Sequence, residues 1–285
     1  MAGTHETHPP SSAGAAGRRA RRSVGIAAFA AIALAALVAA PAARAQASAG
    51  DVESCLRRNL PKKSSVQTVR FETRDRMGST RRIEGKIYWR RGADDAHSKT
   101  LVRVESPPEL RGSSYLVIEK PGALDIFVYL PEYQKVRRIT AHALAGSLFG
   151  TDFSYEDMLR LRHVFEQQDA ERLRDETVAG RASYLVQLVP PPESGSSYER
   201  VRAWVDRESC VPLRMEFVAK GGSLAKELTT DPKTLAQHGA LWLASGFRLR
   251  DLHEQTETAL ELGEIEIDAE LPDKLFSERA LAQGN

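Results

Sequence analysis

Apolar and polar residues alternate with a period of two along most of the chain. The clearest case is "RRIEGKIYWRR", residues 81–91. Ile83, Gly85, Ile87 and Trp89 fall on one face of an extended strand there, and Glu84, Lys86, Tyr88 and Arg90 on the other. Similar runs predict strands over Val66–Asp75, Leu101–Glu105, Tyr115–Glu119, Asp125–Leu130 and Lys135–Thr140. Others are predicted over Arg181–Pro190, Arg200–Asp206, Leu213–Lys220, Leu224–Thr230, Leu241–Leu252 and Gln255–Ala269. Turn-forming pairs punctuate them, among them Met77-Gly78, Pro121-Gly122, Pro131-Glu132, Ala179-Gly180 and Gly221-Gly222.

Two glycines inside strands carry extra information. In the last run Leu260 and Leu262 share one parity while Ile265, Ile267 and Ala269 share the other, with Gly263 between them. A one-residue slip at a glycine predicts a β-bulge, which bends and twists the strand. Gly85 predicts sharp curvature or a close backbone approach. The fold class read from this is mainly β: a highly curved antiparallel sheet forming an incomplete barrel, closed by short helices.

Helical signals are few. Val52–Asn59 reads as a short helix with Asp51 as its cap, and Asp273–Leu281 as a short terminal one. The third lies in "SLFGTDFSYEDMLRL", residues 147–161, which interrupts the strand pattern with aromatic and aliphatic residues. Ser154 followed by Asp157 resembles a capping box, predicting a helix from Tyr155 to Leu161 after a tight turn at Gly150.

The ends change the charge picture. Arg18, Arg19, Arg21 and Arg22 precede an Ala-rich apolar run from Val24 to Ala40, then Pro41 and the small-x-small triplet Ala43-Arg44-Ala45. This pattern predicts an export signal over 1–45, cleaved after Ala45, and one mature domain over 46–285. An uncleaved anchor is the alternative, disfavoured by a short run of Ala rather than Leu. The arginine pairs raise the twin-arginine route, but "RRSVGI" suits Sec export better. Gln46 stands where an acylated lipoprotein carries Cys, so a soluble periplasmic protein is expected. The whole chain carries a formal charge of +2, but the five Arg and one Glu of residues 1–45 leave −2 for the rest. With its Lys and Arg interleaved among acids, the mature chain offers no footprint for nucleic acid. Cys55 and Cys210, the two cysteines, are expected to form a disulfide in an oxidising compartment; two buried thiols are the alternative.

Catalytic and metal motifs are missing from the mature sequence. It contains no G-x-S-x-G, P-loop, G-x-G-x-x-G, H-E-x-x-H or C-x-x-C motif. The "THETH" near the start falls in the predicted signal, and His97, His142, His163, His238 and His253 are scattered singly. Glu156 and Asp157 read as helix-start acids, and Asp152 as a cap or turn acid, rather than as an acid–base pair. The expectation is a non-enzymatic monomer with no cofactor and no metal.

The stretch "FGTDFSYEDM" resembles the LolA-like carriers, the family of outer-membrane lipoprotein-sorting proteins, and most closely the branch associated with RND-type exporters. "KIYWRR", "SPPELRGSSYLVIE", "DIFVYLPEYQKVRRI" and "AWVDRESCVPLRMEF" fit the same resemblance, which spans about Val66 to Phe276. It implies an incomplete antiparallel barrel around an apolar cavity that shields lipoprotein acyl chains, or other lipid, during transfer towards the outer membrane. The arginine that holds the lid shut in such carriers has no match assigned here.

Under this reading the ligand-binding lid is Phe149, Gly150, Phe153, Tyr155, Met158 and Leu161. The sheet contributes Ile87, Trp89, Val117, Val128, Val186 and Phe217, inward by alternation. The same apolar insert also reads as permanent core that plugs the barrel. A second functional reading keeps the fold and makes the protein a non-catalytic accessory docked on an RND-type exporter or envelope complex.

Overall fold

The computed structural model describes residues 48–94, 97–121, 123–163 and 170–283; the predicted export signal lies outside them. After helix α1 (Ala49–Arg58) come strands β1 (Ser64–Arg74), β2 (Thr80–Arg91), β3 (Ser98–Ser106), β4 (Ser114–Lys120), β5 (Ala123–Leu130) and β6 (Lys135–Arg138). An insert then carries helix α2 (Tyr155–His163). It leads to β7 (Ala170–Val178), β8 (Arg181–Leu188), β9 (Tyr198–Asp206), β10 (Pro212–Ala219) and β11 (Leu224–Thr230). The hairpin of β12 (Leu235–His238) and β13 (Leu241–Ala244) precedes β14 (Gly246–Asp251), β15 (Thr256–Ile267) and helix α3 (Glu278–Gln283).

Among the described residues, thirteen strands form one sheet in the order β6-β5-β4-β3-β2-β1-β15-β14-β11-β10-β9-β8-β7, and β12 pairs with β13 alone. Neighbours run antiparallel throughout, and β6 and β7 remain as edges, so the sheet does not close into a barrel. It curls strongly nonetheless. Ala141, just beyond β6, packs against Gly195 between β8 and β9, close to the opposite edge.

Both predicted bends are present. On β15 Gly263 and Glu264 face the single residue Thr68 of β1, and a Cβ on Gly263 would lie 2.0 Å from Thr68 Oγ1. At Gly85 a Cβ would lie 2.1 Å from the Arg103 carbonyl oxygen, beside a register shift between β2 and β3. Strands that cross this closely accept only glycine.

Alternation sorts the side chains onto two faces. Inside, Val69, Phe71, Ile83, Val102, Val117, Val128, Val186 and Phe217 join one core with Val52 of α1 and with Leu148, Phe149 and Phe153 of the insert. Outside, Leu101, Leu116 and Phe127 form a smaller core beneath Phe276 and Leu281 of the C-terminal segment.

Several boundaries differ from the sequence reading. The run Leu241–Leu252 divides into β13 and β14, because Gly246 packs against Thr234 (a Cβ would lie 2.9 Å from its Cγ2) and redirects the chain. Strands β7 and β12 were not predicted, since both have exposed, mixed faces without clean alternation. Helix α1 starts earlier, with Ser48 as its N-cap and Asp51 as the reciprocal member of a capping box. The C-terminal segment is a 3-10 turn over Asp273–Phe276 and then α3, separated by the extended Ser277. The strand predicted over Lys135–Thr140 ends at Arg138.

Candidate functional site

The insert begins as a narrow loop. Ser147 and Ser154 form an isolated antiparallel bridge. Leu148 N–H donates to the Phe153 carbonyl at 2.7 Å, and Thr151 N–H to the Leu148 carbonyl at 3.0 Å. At the tip Phe149 and Gly150 have φ of 53° and 75°. Glycine takes this left-handed backbone freely, whereas Phe must be held in it. The Arg81 guanidinium of β2 donates to the Phe149 carbonyl and occupies the space that a side chain at Gly150 would need.

Helix α2 starts with the expected capping box. Asp157 N–H donates to Ser154 Oγ at 3.0 Å, and Ser154 N–H to Asp157 Oδ2 at 2.8 Å. The fully buried Asp157 carboxylate also accepts the Tyr198 hydroxyl of β9 at 2.6 Å and Lys226 Nζ of β11 at 2.9 Å. Burial, together with this carboxylate, pushes the Tyr198 hydroxyl far above the ordinary phenol range, so it remains a donor. Lys226 further donates to the Asp152 carbonyl at 2.6 Å, while the Asp152 carboxylate accepts the hydroxyls of Thr256 and Thr258 on β15. Glu156, also buried, accepts Ser197 N–H at 2.9 Å and is bonded by Ser196 and Arg160. The insert is thus tied to both halves of the curled sheet across the gap between its edges.

Apolar packing follows the same geometry. Phe153 meets Phe71 edge-on with ring centroids 5.9 Å apart, and Tyr155 stacks on Tyr115 at 5.8 Å. Of the predicted site residues, Phe149, Phe153, Val117, Val128, Val186 and Phe217 are buried members of the inner core. Ile87, Tyr155, Met158 and Leu161 are half-buried against it. Trp89 is buried outside that core, with the Arg91 guanidinium 5.3 Å from its ring centroid. Space that the sequence reading expected to be hollow is filled at this end by Leu148, Phe149 and Phe153.

Farther along β15 the inner face opens. Thr258 and Leu260 are buried, whereas Leu262 and Ile265 are half-buried and Ile267 is 37% exposed. Register places all five on the inward parity, opposite Thr73, Phe71, Val69, Gln67 and Ser65 of β1. Ile87 of β2 and Phe247 of β14 share that parity and are also half-buried. A surface groove of about 610 Å³ at the start of β14 is bordered by residues of both parities, Phe247, Leu260 and Leu262 from the inward one and Arg248, Ala259 and Glu261 from the outward one.

Beside this opening, the Asn59 carboxamide at the end of α1 accepts Trp242 N–H at 2.5 Å and donates to the Trp242 carbonyl at 2.5 Å and the Ser209 carbonyl at 3.1 Å. The Cys55–Cys210 disulfide fastens α1 to the turn between β9 and β10. Sequence reading did not single out Arg81, Lys226, Tyr198, Asn59 or Phe247. The bulge predicted at Gly263 lets Leu262 and Ile265, of opposite parity in sequence, both face inward.

A wide open sheet with an apolar inner face, closed at one end by a bonded insert, defines a protein with the LolA-like half-barrel fold. The same fold occurs in a DUF1329 family protein of Desulfovibrio piger, with 24% identity, TM-score 0.75, and 82% of this chain and 97% of that one covered. It also occurs in a domain of Vibrio parahaemolyticus assigned as an outer membrane lipoprotein-sorting protein, with 20% identity, TM-score 0.72 and coverages of 83% and 98%. A LolA superfamily protein of Nitrosomonas europaea shares it at 18% identity and TM-score 0.64, with coverages of 82% and 100%. No curated protein matches the sequence. A family model described as that of an uncharacterized protein matches residues 96–283, and the chain belongs to that family.

Proposed function

We propose that the protein is a non-catalytic periplasmic carrier that binds the acyl chain of a lipoprotein or another lipid against the inner face of its sheet, for transfer towards the outer membrane. One observation carries this reading: the inner face is apolar, and toward Leu262, Ile265 and Ile267 it is incompletely covered. A contiguous apolar surface left uncovered marks a site of ligand or partner binding. The disulfide suits an oxidising envelope compartment, and among the described residues no helix is long and apolar enough to cross a membrane.

Energetics favour occupancy. An alkyl chain of about a dozen methylenes gains about 10 kcal/mol on leaving water, at about 0.8 kcal/mol each. The test is mass spectrometry of organic extracts of the protein purified from its own cells. Co-purifying lipid in roughly stoichiometric amount is expected, and protein that emerges lipid-free and takes up no fluorescent fatty acid refutes the carrier.

A further inference from the structure

Two ends of the same inner face differ in kind. At one, the insert is bonded through buried and half-buried groups: Asp157 to Tyr198 and Lys226, Asp152 to Thr256 and Thr258, Glu156 to Ser196 and Ser197. At the other, the inward residues Ile87, Phe247, Leu262 and Ile265 are only half-buried. An inward-facing side chain that keeps solvent exposure marks a place where water reaches the interior. The wall there is the β12–β13 hairpin, which pairs with no strand of the large sheet. It is held to α1 by the Asn59 carboxamide, and α1 in turn by Cys55–Cys210.

We infer that a single hydrocarbon tail enters the half-barrel between α1 and the β12–β13 hairpin, lying on Ile87, Phe247, Leu262 and Ile265, and that the aromatic insert is a fixed stopper at the far end rather than the moving lid. This rests on the carrier reading and specifies where the ligand goes. The stopper assignment follows from polarity: swinging the insert out breaks several buried charge-assisted hydrogen bonds together, whereas the hairpin is held to α1 by the neutral Asn59 carboxamide. The occupant is an alkyl chain because the inward residues Ile87, Phe247, Leu262 and Ile265 offer aliphatic and aromatic carbon.

The test uses dansylaminoundecanoic acid as the probe, with fluorescence for affinity and hydrogen exchange for location. The wild-type protein should bind it, and binding should slow exchange at amides of residues 56–60, 241–247 and 262–267 while leaving those of residues 148–159 unchanged. Leu262→Arg and, separately, Ile265→Arg should weaken binding by about tenfold or more, since a guanidinium opposes an alkyl chain in that position. Both positions are half-buried, and unchanged exchange in the free variants shows that each has folded. If the probe binds but the arginine variants keep wild-type affinity, or the insert amides exchange faster on binding, entry at the α1 end is wrong and the carrier reading stands. If delipidated wild-type protein binds no probe, both fall.

Discussion

Lys226 Nζ of β11 lies 2.9 Å from Asp157 Oδ2 of α2, in a place where the carboxylate is wholly buried. This pair joins the insert to the half of the sheet that follows it in sequence, and Tyr198 completes the carboxylate's partners from β9. Replacing the lysine leaves a buried charge held only by neutral donors. Lys226→Met is expected to cost about 3–5 kcal/mol, and Tyr198→Phe about 1–3 kcal/mol. Urea denaturation of the variants measures both, and a loss below about 1 kcal/mol for Lys226→Met would mean that solvent reaches the pair.

Cys55 and Cys210 are 155 residues apart in sequence, with Cα atoms 5.5 Å apart. Cross-linking so long a segment restricts the unfolded chain, a contribution of about 4–5 kcal/mol in the chain-entropy model. Denaturation with and without reductant, or of a Cys55→Ser and Cys210→Ser double variant, should show a loss of that order. Because α1 carries Asn59, reduction should also speed exchange of the amides in the β12–β13 hairpin; identical exchange in both states would disconnect strap from disulfide.

Asp206 closes the turn that holds Cys210. Burial by itself would raise its pKa, but hydrogen bonds from Arg181 and Ser209 outweigh it and hold the carboxyl below its usual range. For a carboxyl depressed in the folded state, the stabilisation is present above the unfolded pKa and disappears as pH falls through the folded one. Melting temperature should therefore drop on acidification below the ordinary carboxylate range. Asp206→Asn should be less stable at neutral pH and show a flatter acid limb; parallel curves for the two proteins would assign acid sensitivity to other groups.

Legibility from sequence tracked how local each determinant is. The members of the Ser154–Asp157 capping box are three positions apart, and both bond as the spacing predicts. Lys226, which meets the same carboxylate, comes 69 residues later, and no local pattern marks it. Strand β7 escaped notice because an exposed edge carries charge on both faces. Arg81 belongs to a readable strand, yet its bond to the Phe149 carbonyl depends on how the sheet curls.

Alternation of side chains determined a curved, mainly β protein with an apolar inner face, and a glycine at each sharp crossing, because strand period and Cβ clashes act between near neighbours in chain or register. Which end of that face is sealed and which remains open was decided only by tertiary structure. Sealing depends on the Tyr198 hydroxyl of β9, the Lys226 ammonium of β11 and the Thr258 hydroxyl of β15 converging on carboxylates of one insert, and their attraction is strong only where folding has removed the water between them.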